Sequence, residues 1–306
     1  VIVALSGGIG GAKLALGLSK ILPPDELLIV ANTGDDFEHF GLTICPDIDT
    51  LTYTLAGLDN PVLGWGRRDE NWAFMETFAQ LGGEDWFRLG DRDLALHVLR
   101  THRLRQGEAL SSITEDIRRR LGIGPRILPM SDDPVRTRIR SDEGWIDFQD
   151  WFVRRRAAPV VRAVEFAGAG SARPQPEVLA ALRARPRAVV ICPSNPFISI
   201  EPILAIPGMR EAIAACGAPV VAVSPIIAGQ AVKGPTAKMF AELGMASSAR
   251  AVAARYGALL SGYVMEEGDD AIGITPRVFR ARTLMRGLED KLALAQVVLA
   301  AADALR

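Results

Sequence analysis

Short apolar runs that stop at polar, glycine-rich loops recur along this 306-residue chain. Val1–Leu5 is rich in β-branched residues and ends at glycines, and Leu27–Ala31 ends at Asn32-Thr33-Gly34-Asp35-Asp36. Ala188–Cys192 ends at Pro193-Ser194-Asn195-Pro196, and Val220–Val223 ends at Ser224-Pro225-Ile226-Ile227-Ala228-Gly229. Runs this short and this uniformly apolar predict strands covered on both faces, as in a parallel sheet. Between them the period changes. Leu14, Leu18, Ile21 and Leu22 recur at helical spacing from about Gly11 until Pro23-Pro24 breaks the pattern. Glu177–Arg185 and Met209–Cys216 read as helices, and the Ala/Leu-rich stretch Leu288–Leu305 as a closing helix. A strand–loop–helix–strand opening of this kind predicts an α/β fold with a doubly wound, mostly parallel sheet.

The stretch from about 59 to 170 departs from this rhythm. It holds all five tryptophans (Trp65, Trp72, Trp86, Trp145 and Trp151) and mixes helical patterns with loops. It is expected to be an insertion that caps the carboxyl ends of the strands of a single α/β domain spanning 1–306.

Composition adds mainly exclusions. Apolar residues make up 49% and charged residues 23%, the balance of a soluble globular chain. A net charge of -1 gives no basic excess to follow a phosphodiester backbone, so nucleic acid is not an expected partner. The arginine runs at 118–120 and 154–156 read as solvated helix faces. Three cysteines without metal-ligand spacing fit a reducing compartment. No apolar stretch has bilayer length, and the first residues lack the charged lead of a signal peptide. The chain is expected to be cytoplasmic and to have no membrane partner. A homodimer is left open.

Candidate chemistry gathers on the loops that follow the predicted strands, because open α/β sheets bind ligands outside the carboxyl ends of their strands. In Ser6-Gly7-Gly8-Ile9-Gly10-Gly11-Ala12-Lys13 the glycines allow the backbone to approach a phosphate at a helix N-terminus. The ordinary alternative is a tight strand-to-helix turn. The segment is not a Walker A loop, and Lys13 stands where a dinucleotide fingerprint needs its last glycine. A nicotinamide-dependent dehydrogenase is therefore disfavoured. Ser6, Gly7, Gly8, Gly10, Gly11 and Lys13, with Asn32, Ser194 and Asn195 from two other loops, are the expected nucleotide- and phosphate-binding residues. Cys45-Pro46-Asp47-Ile48-Asp49-Thr50 adds carboxylates to those of Asp35 and Asp36. Asp35, Asp36 and Asp47 are candidate ligands for a hard cation such as magnesium, and Asp49 or Thr50 alternatively caps the helix Leu51–Leu58. Trp86-Phe87-Arg88-Leu89-Gly90-Asp91-Arg92-Asp93 offers a flat aromatic platform beside a cation. Met130-Ser131-Asp132-Asp133-Pro134 reads as a helix cap, and His97 and His102 as structural or solvent-facing.

Taken in order, these segments resemble the 2-phospho-lactate transferases that act late in making the deazaflavin coenzyme F-420. Val223-Ser224-Pro225-Ile226-Ile227 and Lys233-Gly234-Pro235 complete the set, which runs over nearly the whole chain. The resemblance implies a Rossmann-like core, magnesium, a three-carbon acid linked through a diphosphate to guanosine as donor, and 7,8-didemethyl-8-hydroxy-5-deazariboflavin as acceptor. Guanosine monophosphate would leave. By the same resemblance Asp49 and Arg88 contact the acceptor, and Asp49 is a catalytic candidate as proton acceptor or metal holder. The same fold also occurs in a group of sugar-nucleotide-binding regulators of cell shape, whose motif differs at the position of residues 45–50. Among lactate-, enolpyruvate- and glycerate-derived donors the enolpyruvate one is expected, on the hint that an Ala/Arg-rich chain comes from a GC-rich bacterium.

Overall fold

The structure is a computed structural model in which residues 1–61, 65–231 and 234–306 are described. Lys233, part of one motif above, lies outside the described residues.

Seven parallel strands form the central sheet: β1 (Ile2–Ser6), β2 (Leu27–Ala31), β3 (Arg126–Pro129), β4 (Ala188–Ile191), β5 (Val220–Val223), β6 (Gly262–Glu266) and β7 (Arg277–Ala281). Their spatial order is β7-β6-β5-β4-β1-β2-β3. Ile2 pairs with Leu27 on one side of β1 and with Ala188 on the other. The chain order thus reverses between β1 and β4, where an open α/β sheet leaves its ligand crevice. All of β1, β2, β4 and β5 is buried, as continuous apolar runs require. Alternate residues serve opposite layers. Ile2 and Ala4 pack with Leu14, Leu18, Leu294 and Val298, whereas Val3 and Leu5 join the cluster that holds Trp151, Phe197 and Val252.

The first layer is built from α1 (Gly8–Ile21), α2 (Pro46–Leu55) and the closing helix Leu288–Asp303. Helix α1 begins at Gly8, three residues before the position its apolar spacing suggested. Helix α2 begins at Pro46, so Asp47 and Asp49 lie in its first turn, and neither Asp49 nor Thr50 caps a helix starting at Leu51. Proline at the first helical position needs no N–H, which sets the start there.

Residues 59–170 do not stand wholly outside the sheet. They include a helix at Ala73–Gln80, α3 (Asp91–Arg105) and a helix at Leu110–Arg120, and then β3, the edge strand of the central sheet. A three-stranded antiparallel sheet follows, made of Arg136–Ser141, Gly144–Asp147 and Ala163–Ala167. Five arginines of the two runs form ion pairs: Arg118 and Arg119 with Glu115, Arg120 with Asp116, Arg154 with Glu84 and Arg155 with Glu143. Asp132 accepts hydrogen bonds from the Ser111 amide and hydroxyl, so the Asp132–Pro134 turn satisfies the start of Leu110–Arg120 from a distance in sequence. Among the described residues no helix is long and apolar enough to cross a membrane.

Helix α1 meets the closing helix at Gly17, where an added Cβ would stand 2.2 Å from the carbonyl oxygen of Lys291. Gly17→Leu must push the two helices apart and is expected to cost about 1–3 kcal/mol of stability. Chemical denaturation with far-UV circular dichroism checks it. An unchanged midpoint would mean that this contact does not set the helix spacing.

Candidate functional site

The loops after β1 and β4 meet directly beside the crevice. Ser194 donates its hydroxyl to the Gly7 carbonyl at 2.7 Å and accepts from the Gly7 amide at 3.2 Å. The glycines of the first loop are dictated by this crowding. An added Cβ at Gly7 would meet Asp47 Oδ2 and Ser199 Cβ at 2.7 Å, and one at Gly10 would meet the Pro193 carbonyl oxygen at 2.3 Å. One at Gly11 would meet Ser6 Oγ at 2.4 Å. Gly8 differs, because its surroundings are open and its φ of +64° is what favours glycine there.

One buried side chain ties the remaining loops together. Asn32 donates from Nδ2 to Asp35 Oδ1 at 3.0 Å, to Asp47 Oδ2 at 2.9 Å and to the Ile198 carbonyl at 3.1 Å. Its Oδ1 accepts from the Gly34 amide at 2.8 Å. Asp47 Oδ1 in turn accepts from the Gly8 amide at 2.6 Å, so a carboxylate already sits at the first turn of α1. Asn195 caps the short helix Pro196–Ile200 by accepting from the Phe197 amide at 2.8 Å. Lys13 donates to the Met285 carbonyl at 2.8 Å, which fixes the segment after β7 against α1.

A cavity of about 730 Å³ opens over these loops, a size typical of small-molecule sites. Of the residues expected at the site, Gly7, Gly8, Gly10, Lys13, Asp35, Asp47, Asp49, Arg88, Ser194 and Asn195 line it. Ser6, Gly11, Asn32 and Asp36 do not. Ser6, Gly11 and Asn32 are packed beneath the loops they support, and Asp36 is turned towards Arg136 and Cys45. Asp36 does not line the cavity as Asp35 and Asp47 do. The tryptophans divide. Trp65 and Trp86 line the cavity with Phe87, Phe148 and Phe152, whereas Trp151 is core and Trp145 is exposed beside Arg138. Arg88 lies over the Trp72 ring at 4.3 Å.

Asp49, Asp93 and His97 each bring one ligand-type atom within 4.8 Å of the others, a grouping that can hold a metal ion. His97 Nε2 is 3.1 Å from Asp93, and Arg100 grips both oxygens of Asp49. None of Tyr53, Asp93 as a side chain, His97 or Arg100 was singled out by its own chemistry in the sequence. The signal is present, because Asp93, His97 and Arg100 recur at i, i+4 and i+7 and so share one face of α3.

Burial sets the charge state of the carboxylates. Desolvation pushes Asp35 well up, helped by the neighbouring charge of Asp47, and pushes Asp47 up to about 6 against its hydrogen bonds from Asn32 and Gly8. Desolvation also lifts Asp36 to about 7, although Arg136 opposes it.

A crevice at the reversal point of a parallel sheet, walled by a tight glycine turn and paired carboxylates, defines a Rossmann-like α/β protein. The chain belongs to the CofD family, whose model, described as 2-phospho-L-lactate transferase CofD, matches residues 2–271. It is thus a CofD-family transferase. A phosphoenolpyruvate transferase of Kitasatospora aureofaciens is 43% identical over 319 residues, covering 100% of this chain and 98% of that protein. One of Thermobifida fusca is 44% identical over 282 residues, covering 88% and 87%. Among solved structures, a UPF0052 family member from Bacillus halodurans matches with a TM-score of 0.65 over 97% of this chain and 99% of that one. At 15% identity that likeness shows the fold alone.

The raised pKa of Asp36 has a stability consequence. The folded state holds this proton to about 7, against an ordinary value of 3.8. Its contribution to stability is therefore present below the lower value and is lost as pH rises through the higher one. Asp36→Asn is expected to flatten the fall in unfolding midpoint between pH 5 and pH 8. Midpoints measured at four pH values in that range, with the same slope for both proteins, would refute the assignment.

Proposed function

We propose that this chain transfers a phosphorylated three-carbon acid from a guanosine diphosphate-linked donor to the terminal ribityl hydroxyl of 7,8-didemethyl-8-hydroxy-5-deazariboflavin, in the biosynthesis of coenzyme F-420. The observation that carries this reading is one continuous cavity. Its lining includes Gly7–Gly10, Asp35 and Asp47 together with Trp65, Trp86, Phe87 and Arg88. The first set suits a diphosphate with its counter-ion, and the second, the proposed acceptor end, suits a flat tricyclic ring. Family membership and the phosphoenolpyruvate transferases among its relatives support the enolpyruvyl group as the acid transferred.

The acceptor oxygen attacks the distal phosphorus, the bond from that phosphorus to the guanosine monophosphate oxygen breaks, and guanosine monophosphate leaves with the electron pair. Such transfers depend on positioning and charge neutralisation more than on covalent help. Asp49 faces the cavity and is placed to receive the hydrogen bond of the acceptor hydroxyl. Both of its oxygens also accept from Arg100. The hydroxyl proton becomes acidic as the new P–O bond forms, and Asp49 then accepts it.

Asp35 and Asp47 fit magnesium. Both line the cavity, both are buried carboxylates, and together they share one Asn32 amide group, a poor neutraliser of two charges. Magnesium held there would neutralise charge on the diphosphate. The Asn32 amide orients the two carboxylates, and the Gly8 amide fixes Asp47.

Purified protein given magnesium, the acceptor and an equal mixture of lactate-, enolpyruvate- and glycerate-derived donors should form chiefly the enolpyruvyl product and guanosine monophosphate. Product mass and nucleotide chromatography read the result. Without magnesium, turnover should be abolished. Release of guanosine diphosphate would mean attack at a different centre and would refute the mechanism. A dominant lactyl product would refute only the choice of acid.

A further inference from the structure

Around Asp49 lies a chain of polar groups that the proposed reaction does not yet use: Tyr53, Asp93 and His97 line the cavity, and Arg100 is packed behind them. Arg100 is 1% exposed and does not line the cavity. Its Nη1 donates to Asp49 Oδ2 at 3.1 Å, and its Nη2 donates to Asp49 Oδ1. The same Nη1 lies 3.4 Å from the Thr43 carbonyl and 3.4 Å from His97 Nδ1. A guanidinium can only donate, so the contact to Nδ1 requires that nitrogen to accept. His97 Nε2 lies 3.1 Å from Asp93 Oδ2. Tyr53 donates its hydroxyl to the other oxygen of Asp93, and Asp93 is further fixed by its amide, which donates to Glu70 at 2.8 Å. Tyr53 thus donates to Asp93, and Arg100 donates to both oxygens of Asp49 while its Nη1 also contacts His97 Nδ1.

From this geometry, and resting on the acceptor end proposed above, we infer that Arg100 and His97 are positioning residues that fix the orientation of the Asp49 carboxylate towards the acceptor hydroxyl. A lone carboxylate on the first turn of α2 is free to rotate, whereas a two-point guanidinium contact fixes its plane. The planar fork of Arg100 is itself held by His97 and by the Thr43 carbonyl. The arrangement also assigns the Asp49, Asp93 and His97 grouping. The cation that Asp49 needs is already present as the buried guanidinium, so Asp49 serves in this grouping as an oriented carboxylate. A lysine cannot reproduce the fork, and a misplacement of about 1 Å in such a site costs about 100-fold in rate.

The test uses the full chain, magnesium and the deazaflavin acceptor, with Arg100→Lys, His97→Asn, Asp49→Asn and the doubles Arg100→Lys/Asp49→Asn and His97→Asn/Asp49→Asn. Arg100→Lys should lower kcat/KM for the acceptor by about 100-fold. His97→Asn, which keeps a polar group near Arg100 but drops the contact to Asp93, should lower it less. In both, the KM for the guanosine-linked donor should stay within about twofold of the wild type. Each double should be no slower than Asp49→Asn alone, because a residue that acts through Asp49 has nothing left to orient. A merely structural role predicts effects that add. Additive losses, an unchanged acceptor kcat/KM in both single variants, or a divalent ion bound by the wild type and lost in His97→Asn would each overturn the inference. If Arg100→Lys does not fold, the His97 pair decides by the same criterion. Failure of the wild type to turn over the acceptor would instead refute the proposed reaction, so the two failures are distinguishable.

Discussion

The site depends on a single buried amide. Asn32 is fully enclosed, and its side chain reaches the loop after β2, the first turn of α2 and the helix after β4 at once. Three acceptors within hydrogen-bond distance of one NH2 group mean that at least one contact is shared, so none of the three segments can shift without releasing another. Ser194 and Gly7 add the fourth loop by exchanging hydrogen bonds. The crowding that results explains why Gly7, Gly10 and Gly11 carry no side chain. The ends of β1, β2 and β4 and the first turn of α2 become one rigid rim, which is what a reaction governed by positioning requires.

Charge is distributed over this rim in two ways. Asp35 and Asp47 share only amide donors and are pushed towards the neutral form, a state that a bound cation would reverse. Asp49, two residues further along α2, lies instead against a buried guanidinium. Carboxylates from one helical turn thus take opposite roles, because α2 turns one towards the amides at the sheet and the other towards α3. Removing either kind of partner leaves an uncompensated buried charge, which is costly.

Much of the frame was legible because its determinants are local. Leu27–Ala31 and Val220–Val223 fall where their apolar runs place them, and the closing helix starts at Leu288 as its composition suggests. The strands Arg126–Pro129, Gly262–Glu266 and Arg277–Ala281 escaped. The first begins with arginine and ends in proline, the second begins with glycine and ends in glutamate, and the last contains two arginines, so none is a continuous apolar run. The start of α2 was missed because proline at its first position was read as part of a loop.

The sequence by itself determined the α/β class, the loops that carry the chemistry and the family resemblance, since these reside in the order and spacing of neighbours along the chain. Tertiary structure alone decided which residues line the cavity. Ser6, Gly11 and Asn32 lie beneath the rim, Asp36 turns away towards Arg136, and Arg100, fifty-one positions after Asp49, becomes its partner. A side chain's direction depends on the rotation of its helix and on what packs behind it. A buried charge is tolerated only where a partner from a distant segment meets it, and spacing along the chain carries no record of that meeting.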